Sequence, residues 1–247
     1  MSYSSFAKVY DRLTENIDYE KTAERICSLL RENGVGKGLL LDNACGTGSL
    51  SVLLAKAGYD VIGADSGAEM LSVAMEKNAA QNTNILFLNQ SMTELDLYGT
   101  IVACVCTLDS INHLENFDEV KKAFEKVSLF TEEGGIFIFD VNTVYKHRHV
   151  LENNIFIYDE KDVYCVWQNE LDGDRINMSL DFFTDDGNGS YQRTSEFFTE
   201  TAYELDKIEK ALNDKGFGVI SIFDGYTSSP VTDTTERAVF VCKKEKK

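Results

Sequence analysis

Leu39-Leu40-Leu41-Asp42-Asn43-Ala44-Cys45-Gly46-Thr47-Gly48 is the stretch whose reading decides the fold. Three leucines without a polar break suit a strand buried on both faces, as in a parallel sheet. Gly46 and Gly48 follow at once, and an amphipathic run opens at Ser49 with Leu50, Val52, Leu53, Leu54 and Ala57 before Gly58 stops it. Strand, glycine turn and helix form the entry to a doubly wound α/β domain, whose ligands sit outside the carboxyl ends of the strands. The rhythm repeats downstream. Residues 60–65, 85–88, 101–106 and 136–141 read as four further strands, with helical patterns between several of them. Such alternation predicts a parallel sheet with right-handed crossovers.

Upstream, residues 4–30 carry a helical pattern with Tyr19, Ala23, Ile26, Leu29 and Leu30 near one face. Its start, Phe6-Ala7-Lys8-Val9-Tyr10-Asp11, is more aromatic than a surface helix needs and reads either as a packing anchor or as a lid over a site. Two Ser/Thr-x-x-Glu spacings, Ser66 with Glu69 and Thr201 with Glu204, predict capping boxes at helix starts. After residue 142 the pattern changes. Aromatic and β-branched residues alternate with polar ones, and Asp172-Gly173 and Asp185-Asp186-Gly187-Asn188-Gly189 are turn signals. Antiparallel strands are expected over 163–171, 175–184 and 190–198. A helix holding Leu205, Ile208 and Leu212 and two strands, 219–223 and 238–242, close the chain. Residues 1–142 and 201–247 thus form a ligand-binding domain, and 143–200 a β-rich insertion.

The 247 residues suffice for one large domain or one domain with an insertion, and 43% hydrophobic content supports a sizeable core. A net charge of −17 argues against a nucleic-acid or anionic-membrane partner. No apolar run approaches the roughly 20 residues of a membrane span, and the N-terminus lacks a signal-peptide pattern. Cys104 and Cys106 fall in an apolar run as core residues, and the six cysteines lack the spacing of a zinc site or a disulfide framework. The expectation is a cytoplasmic protein, monomer or homodimer.

Two ligand classes use such a glycine turn. A dinucleotide fingerprint needs Gly-x-Gly-x-x-Gly, but from Gly46 this chain reads Gly-Thr-Gly-Ser-Leu-Ser. The missing third glycine counts against an NAD(P)-dependent oxidoreductase. Asp42, at the end of the first strand, would face a pyrophosphate unfavourably but suits a ligand bearing an ammonium group. Asp65, at the end of the second, is placed to bind both hydroxyls of a ribose. An acid for an amine, close-approach glycines and an acid for a ribose describe S-adenosylmethionine.

At this point the sequence resembles the class I S-adenosylmethionine-dependent methyltransferases. Asp42–Gly48 is close to their motif D-x-G-C-G-T-G, with Ala44 replacing a glycine. The resemblance runs from about Tyr10 to Asp140 and resumes at the closing strands. It implies a Rossmann-like, seven-stranded, mostly parallel sheet with the last strand antiparallel. It also implies that Tyr10 closes over the methionine end of the cofactor, where Ala44, Cys45 and Gly46 bring backbone groups. Asp65 matches the ribose-binding acid, with Ser66 beside it, and Met70 falls where a helix residue flanks the adenine. In Gln90-Ser91-Met92, Ser91 stands where the family usually has an adenine-binding acid, and the Met92 amide remains to meet the ring. Cys106 ends the fourth strand, next to the expected place of the sulfonium. Asp109-Ser110-Ile111-Asn112-His113-Leu114 resembles a segment of a bacterial branch and not the N/D-P-P-Y motif of nucleic-acid enzymes, which favours a small acceptor met by Asp109 and Asn112.

Methyl transfer from a sulfonium is an in-line displacement in which positioning contributes about 7–11 kcal/mol in favourable cases. For an amine or hydroxyl acceptor, His113 is the candidate general base on spacing, with a structural helix-start histidine as the other reading. His147 and His149 have no carboxylate at ligand spacing, so a solvated loop without metal is expected. Tyr164 and Trp167, on one insertion strand, either line an acceptor pocket or pack against the domain. The reading reached is a methyltransferase acting on a small molecule, with the insertion as a cover; a non-catalytic S-adenosylmethionine-binding module is the other outcome.

Overall fold

The structure, a computed structural model, describes residues 7, 10–12, 14, 17–160, 163–185 and 187–246. Helix α1 (Tyr19–Glu32) starts at Asp18, whose carboxylate accepts the Lys21 amide. The helix expected over residues 4–30 is interrupted: Ala7 and residues 10–12 are helical, a turn and a bend follow at Thr14 and Ile17, and helix resumes at Tyr19. Most of residues 4–16 lie outside the described residues, although Tyr10 and Asp11 are among those described.

The strands and helices then alternate: β1 (Leu39–Asn43), α2 (Ser49–Lys56), β2 (Asp60–Asp65), α3 (Ala68–Gln81), β3 (Leu86–Asn89), β4 (Ile101–Cys106), α4 (Phe117–Phe130) and β5 (Thr131–Asn142). After the insertion come α5 (Leu205–Asp214), β10 (Phe217–Asp224) and β11 (Arg237–Lys244). The seven-stranded sheet has the order β10-β11-β5-β4-β1-β2-β3. Its β1–β2, β1–β4, β2–β3 and β4–β5 pairs are parallel, and β11 runs antiparallel to both β5 and β10. This is the Rossmann-like architecture expected, with the last strand reversed.

Alternation along β5 fills the two sides of the sheet. Phe137 and Phe139 face one layer, where Phe139 stacks on Phe240 at 4.9 Å and Phe124 of α4 closes over Phe137 and Phe139. Ile136 and Ile138 face the other, with Ile26 and Leu30 of α1. Each such buried side chain contributes about 1.5–3 kcal/mol. Cys104 and Cys106 are fully buried in β4, as expected, and all six cysteines are free thiols.

The insertion folds into a second, antiparallel sheet of order β6-β7-β8-β9, with β6 (Ile155–Glu160), β7 (Val163–Asp172), β8 (Arg175–Asp185) and β9 (Tyr191–Thr201). Three of these strands were expected. Strand β6 lacks period-2 alternation, because Ile155, Phe156, Ile157 and Tyr158 run without a polar break, and no glycine marks the turn to β7.

Both predicted capping boxes are absent. Helix α3 has Gly67, not Ser66, at its N-cap and no side-chain cap, and the Gly67 amide donates to the Asp65 carboxylate. Thr201 ends β9, and α5 follows Glu204 uncapped. A side-chain cap does serve α4, where Asn116 accepts the amides of Asp118 and Glu119. Among the described residues, no helix is long and apolar enough to cross a membrane.

Candidate functional site

The carboxyl ends of β1, β2 and β4 meet at one edge of the parallel sheet. The loop after β1 turns through left-handed residues at Ala44 (φ 62°), Gly46 (φ 54°) and Gly48 (φ 74°). Ala44 stands where the resembled motif has glycine, and that geometry costs about 1–2 kcal/mol for a residue with a Cβ. Gly48 has no substitute, since a Cβ there would lie 2.9 Å from that of Ala74 in α3.

Asp65 fixes this loop. One of its oxygens accepts the Gly46 amide at 2.8 Å and the other the Gly67 amide at 2.8 Å. A carboxylate has about four lone-pair sites, so both oxygens retain capacity for hydroxyl donors. Burial pushes the carboxyl up, and the two amides oppose that rise.

Asp42 lies buried beneath the loop and accepts the Ser51 hydroxyl at 2.5 Å. It lines a small cavity of about 30 Å³ with Tyr10, Tyr19, Cys45, Thr107 and Leu108, and no lysine or arginine is among the described residues that line it. Burial pushes the Asp42 carboxyl up to about 7, against the Ser51 bond that lowers it. The ionised form is therefore a cost to the fold: the neutral acid's contribution to stability is full below about pH 4 and lost as the pH rises through 7. A ligand ammonium beside it reverses that balance. S-adenosylmethionine binding at pH 6 is expected to release a proton and to weaken as the pH falls below 7. Calorimetry in two buffers of different ionisation enthalpy measures this, and identical heats would remove Asp42 from the ligand's amine.

Tyr10 is held over this cavity by contacts that the spacing of residues did not reveal. Lys77 of α3 places its Nζ 2.6 and 2.7 Å from the two Asp11 oxygens, 3.0 Å from Thr47 Oγ1 and 2.8 Å from Ser49 Oγ. The residue next to Tyr10 is thus tied to the glycine loop. Burial, then Tyr19, Asp109 and Asp65, push the Tyr10 phenol up, so it stays neutral between the acids at the ends of β2 and β4.

At the β3 end, Ser91 Oγ lies 3.2 Å from Thr93 Oγ1 and donates weakly to Glu94 at 3.5 Å, which brings an acid near the place where Ser91 replaced one. Met92 meets Cys106 with their sulfurs 3.7 Å apart. Ser66 contributes its carbonyl to Asn89, and Met70 packs against the inner face of the second sheet together with Tyr10.

Beyond β4 the chain adopts two consecutive left-handed residues, Leu108 (φ 57°) and Asp109 (φ 53°). Asp140, fully buried near the end of β5, holds them by accepting both amides at 2.9 and 2.7 Å. It also accepts the Tyr226 hydroxyl at 2.5 Å and the Arg237 guanidinium, which reaches Asp109 at 2.5 Å. Burial raises the Asp109 carboxyl, but Arg237, His113 and Lys146 outweigh it and hold the group below the ordinary carboxylate range. The acid inside the apolar run of β5 was the one signal for Asp140; nothing local marked Tyr226 or Arg237.

Asn112 is not free to meet an acceptor, which corrects that expectation. Its amide donates to the carbonyls of Asn142 and Thr201 at 3.0 Å each, and its oxygen accepts the Asn142 amide at 2.9 Å. His113, whose side chain is 41% exposed, points Nε2 at Glu200 Oε1 at 3.8 Å. Donor atoms of Asp109, His113 and Glu200 lie within 4.8 Å of one another. His147 overturns the solvated-loop expectation: it is fully buried, with Nε2 3.3 Å from Glu200 Oε2. Its carboxylate partner sits 53 residues away, beyond any local spacing. His149 is exposed, against the Tyr145 ring.

Tyr164 and Trp167 are three residues apart on β7, so the pleat sends them to opposite faces. Trp167 joins Val163, Cys165 and Phe156 on the inner face, whereas Tyr164 lies outside against Phe183. Only Trp167 shares a face with Tyr10 and Met70.

The chain is similar to several known proteins. A family model described as "Methyltransferase domain" matches residues 40–135. "Putative methyltransferase GWCH70_2453" of Geobacillus sp. (strain WCH70) is 33% identical over 99% of this chain and 100% of its own length. The crystal structure of an S-adenosylmethionine-dependent methyltransferase from Clostridium acetobutylicum is 35% identical, superposes with a TM-score of 0.92 and covers 99% of both chains. A glycine/sarcosine N-methyltransferase of Parasynechococcus marenigrum is 27% identical over 90% of this chain and 77% of its own.

Proposed function

We propose that this chain, which belongs to the class I S-adenosylmethionine-dependent methyltransferases, methylates a small molecule on nitrogen or oxygen. One observation carries the acceptor side of this reading. Asp109, His113 and Glu200 bring polar donor atoms together beside the loop that borders the Asp42 cavity. Such a group suits an acceptor that must lose a proton, and the glycine/sarcosine relative, by its name, acts on small amines.

The cofactor supplies a methyl group already activated on a sulfonium. Asp42 would take its ammonium, Asp65 its ribose hydroxyls, and Ser91 and the Met92 amide its adenine, with Met70 alongside. Cys106 and the Ala44–Gly46 backbone border the sulfur end. Asp42 is buried and no lysine or arginine is among the described residues lining its cavity, which fits that donor set. The rest of the work belongs to the protein: alignment of donor and acceptor, exclusion of water, and removal of a proton by His113. The inner face of the insertion sheet packs on Tyr10 and Met70, which supports its role as a cover.

Incubation of the enzyme with methyl-labelled S-adenosylmethionine and a bacterial extract tests this reading. Label is expected in the low-mass fraction, with the rate falling about 100-fold or more in His113→Gln. Label confined to protein or nucleic acid would refute the small acceptor, and an unchanged rate in His113→Gln would refute the base.

A further inference from the structure

We infer that Glu200, delivered by the last strand of the insertion, is the positioning residue that orients His113 for proton removal; the inference rests on the proposed role of His113. The two residues are brought side by side by their sequence neighbours. Asn112 donates to the Thr201 carbonyl at 3.0 Å, so His113 and Glu200 flank a single hydrogen bond between the catalytic domain and the insertion.

Glu200 is 3% exposed, and its side chain is fixed from behind. Lys146 Nζ donates to Asn142 Oδ1 at 2.9 Å, which turns the Asn142 amide so that Nδ2 donates to Glu200 Oε2 at 2.8 Å. His147 adds a second contact on that oxygen, from Nε2 at 3.3 Å, and its Nδ1 is buried without a hydrogen-bond partner. With Oε2 held, Oε1 is left turned toward His113 at 3.8 Å. That separation is longer than a hydrogen bond, and such contacts tighten when the substrate is bound.

The charged groups around His113 are Glu200 and Asp109, with Lys146 and Arg237 behind them; the Phe198 ring meets its edge. Asp109 is bound to Arg237, so Glu200 is the carboxylate left to pair with the imidazole. The carboxylate facing Nε2 selects the tautomer that carries hydrogen there. His113 then carries hydrogen on Nε2 and presents Nδ1 to the acceptor. As the new carbon–nitrogen or carbon–oxygen bond forms, the carbon–sulfur bond breaks and leaves a thioether. The acceptor proton moves to Nδ1, Glu200 balances the imidazolium, and exposed His113 returns the proton to solvent.

The label-transfer rate is measured against pH for the wild type, Glu200→Gln and Glu200→Asp. The Gln variant is expected to keep its affinity for S-adenosylhomocysteine and to lose at least tenfold in plateau rate. The Asp variant is expected to restore the rate in part. An unchanged plateau rate in a folded Gln variant that binds the product overturns the inference and leaves the His113 reading standing, whereas an unaffected His113→Gln removes both. Should both variants misfold, nitrogen NMR of the wild-type imidazoles decides: hydrogen on Nε2 of His113 supports the pair and hydrogen on Nδ1 overturns it. Loss of activity in EDTA that manganese restores would also overturn it, making the three side chains a metal site.

Discussion

Arg237→Met is expected to lower the unfolding free energy by about 3–5 kcal/mol, the range for removing one partner of a buried ion pair. The guanidinium lies between Asp140 and Asp109 and is the cation bonded to both. Without it, a fully buried Asp140 keeps only two amides and the Tyr226 hydroxyl. The left-handed pair Leu108–Asp109 would lose its counter-charge at the same time. Urea unfolding measures the loss, and adding Asp140→Asn to the variant should recover part of it, because much of the cost is an uncompensated charge. The pH dependence has a defined sign. Asp109 is held below its ordinary value, so its share of wild-type stability is present above about pH 4 and disappears as the pH falls toward 2. Arg237→Met should flatten that acid slope. A variant within 1 kcal/mol of the wild type would mean that the buried acids are neutral and the cluster is not ionic.

Asp65→Ala should weaken S-adenosylmethionine binding on the order of 100-fold, since hydrogen bonds to a charged acceptor are worth about 1.5–3 kcal/mol each. Two losses combine in this variant. The ribose hydroxyls lose their acceptor, and the amides of Gly46 and Gly67 lose theirs, which loosens the loop and the start of α3. Asp65→Asn separates the two, because an amide oxygen retains one loop contact without the charge. Calorimetry reads the affinities, and near-normal binding by Asp65→Ala would remove the ribose assignment.

The residues proposed to hold the cofactor were legible as a group because they are local. Asp42, Ala44, Gly46 and Gly48 sit on one strand and turn, and Asp65 ends the next strand, so periodicity alone brings them together. Ala44 even keeps the left-handed geometry of the glycine it replaces. The acceptor half was legible only in name. Asp109 and His113 stand in a readable segment, but their partners come from afar: Arg237 reaches Asp109 across 128 residues, and Glu200 faces His113 from the end of β9. No spacing rule links such positions. Asn112 failed for a related reason. A polar side chain near a strand end serves the backbone as readily as a ligand, and only the folded geometry decides which. Tyr164 failed on arithmetic available beforehand, since an odd separation from Trp167 puts the two on opposite faces of a strand.

Asn112 has one more consequence. Its side chain grips the chain where it leaves the parallel sheet at Asn142 and where it returns at Thr201, so the two ends of the insertion meet on one amide. The entropy of closing a loop grows only slowly with its length once the ends are fixed together. A change of length between residues 142 and 201 is therefore expected to cost little loop entropy and to leave the β5–β11 register in place.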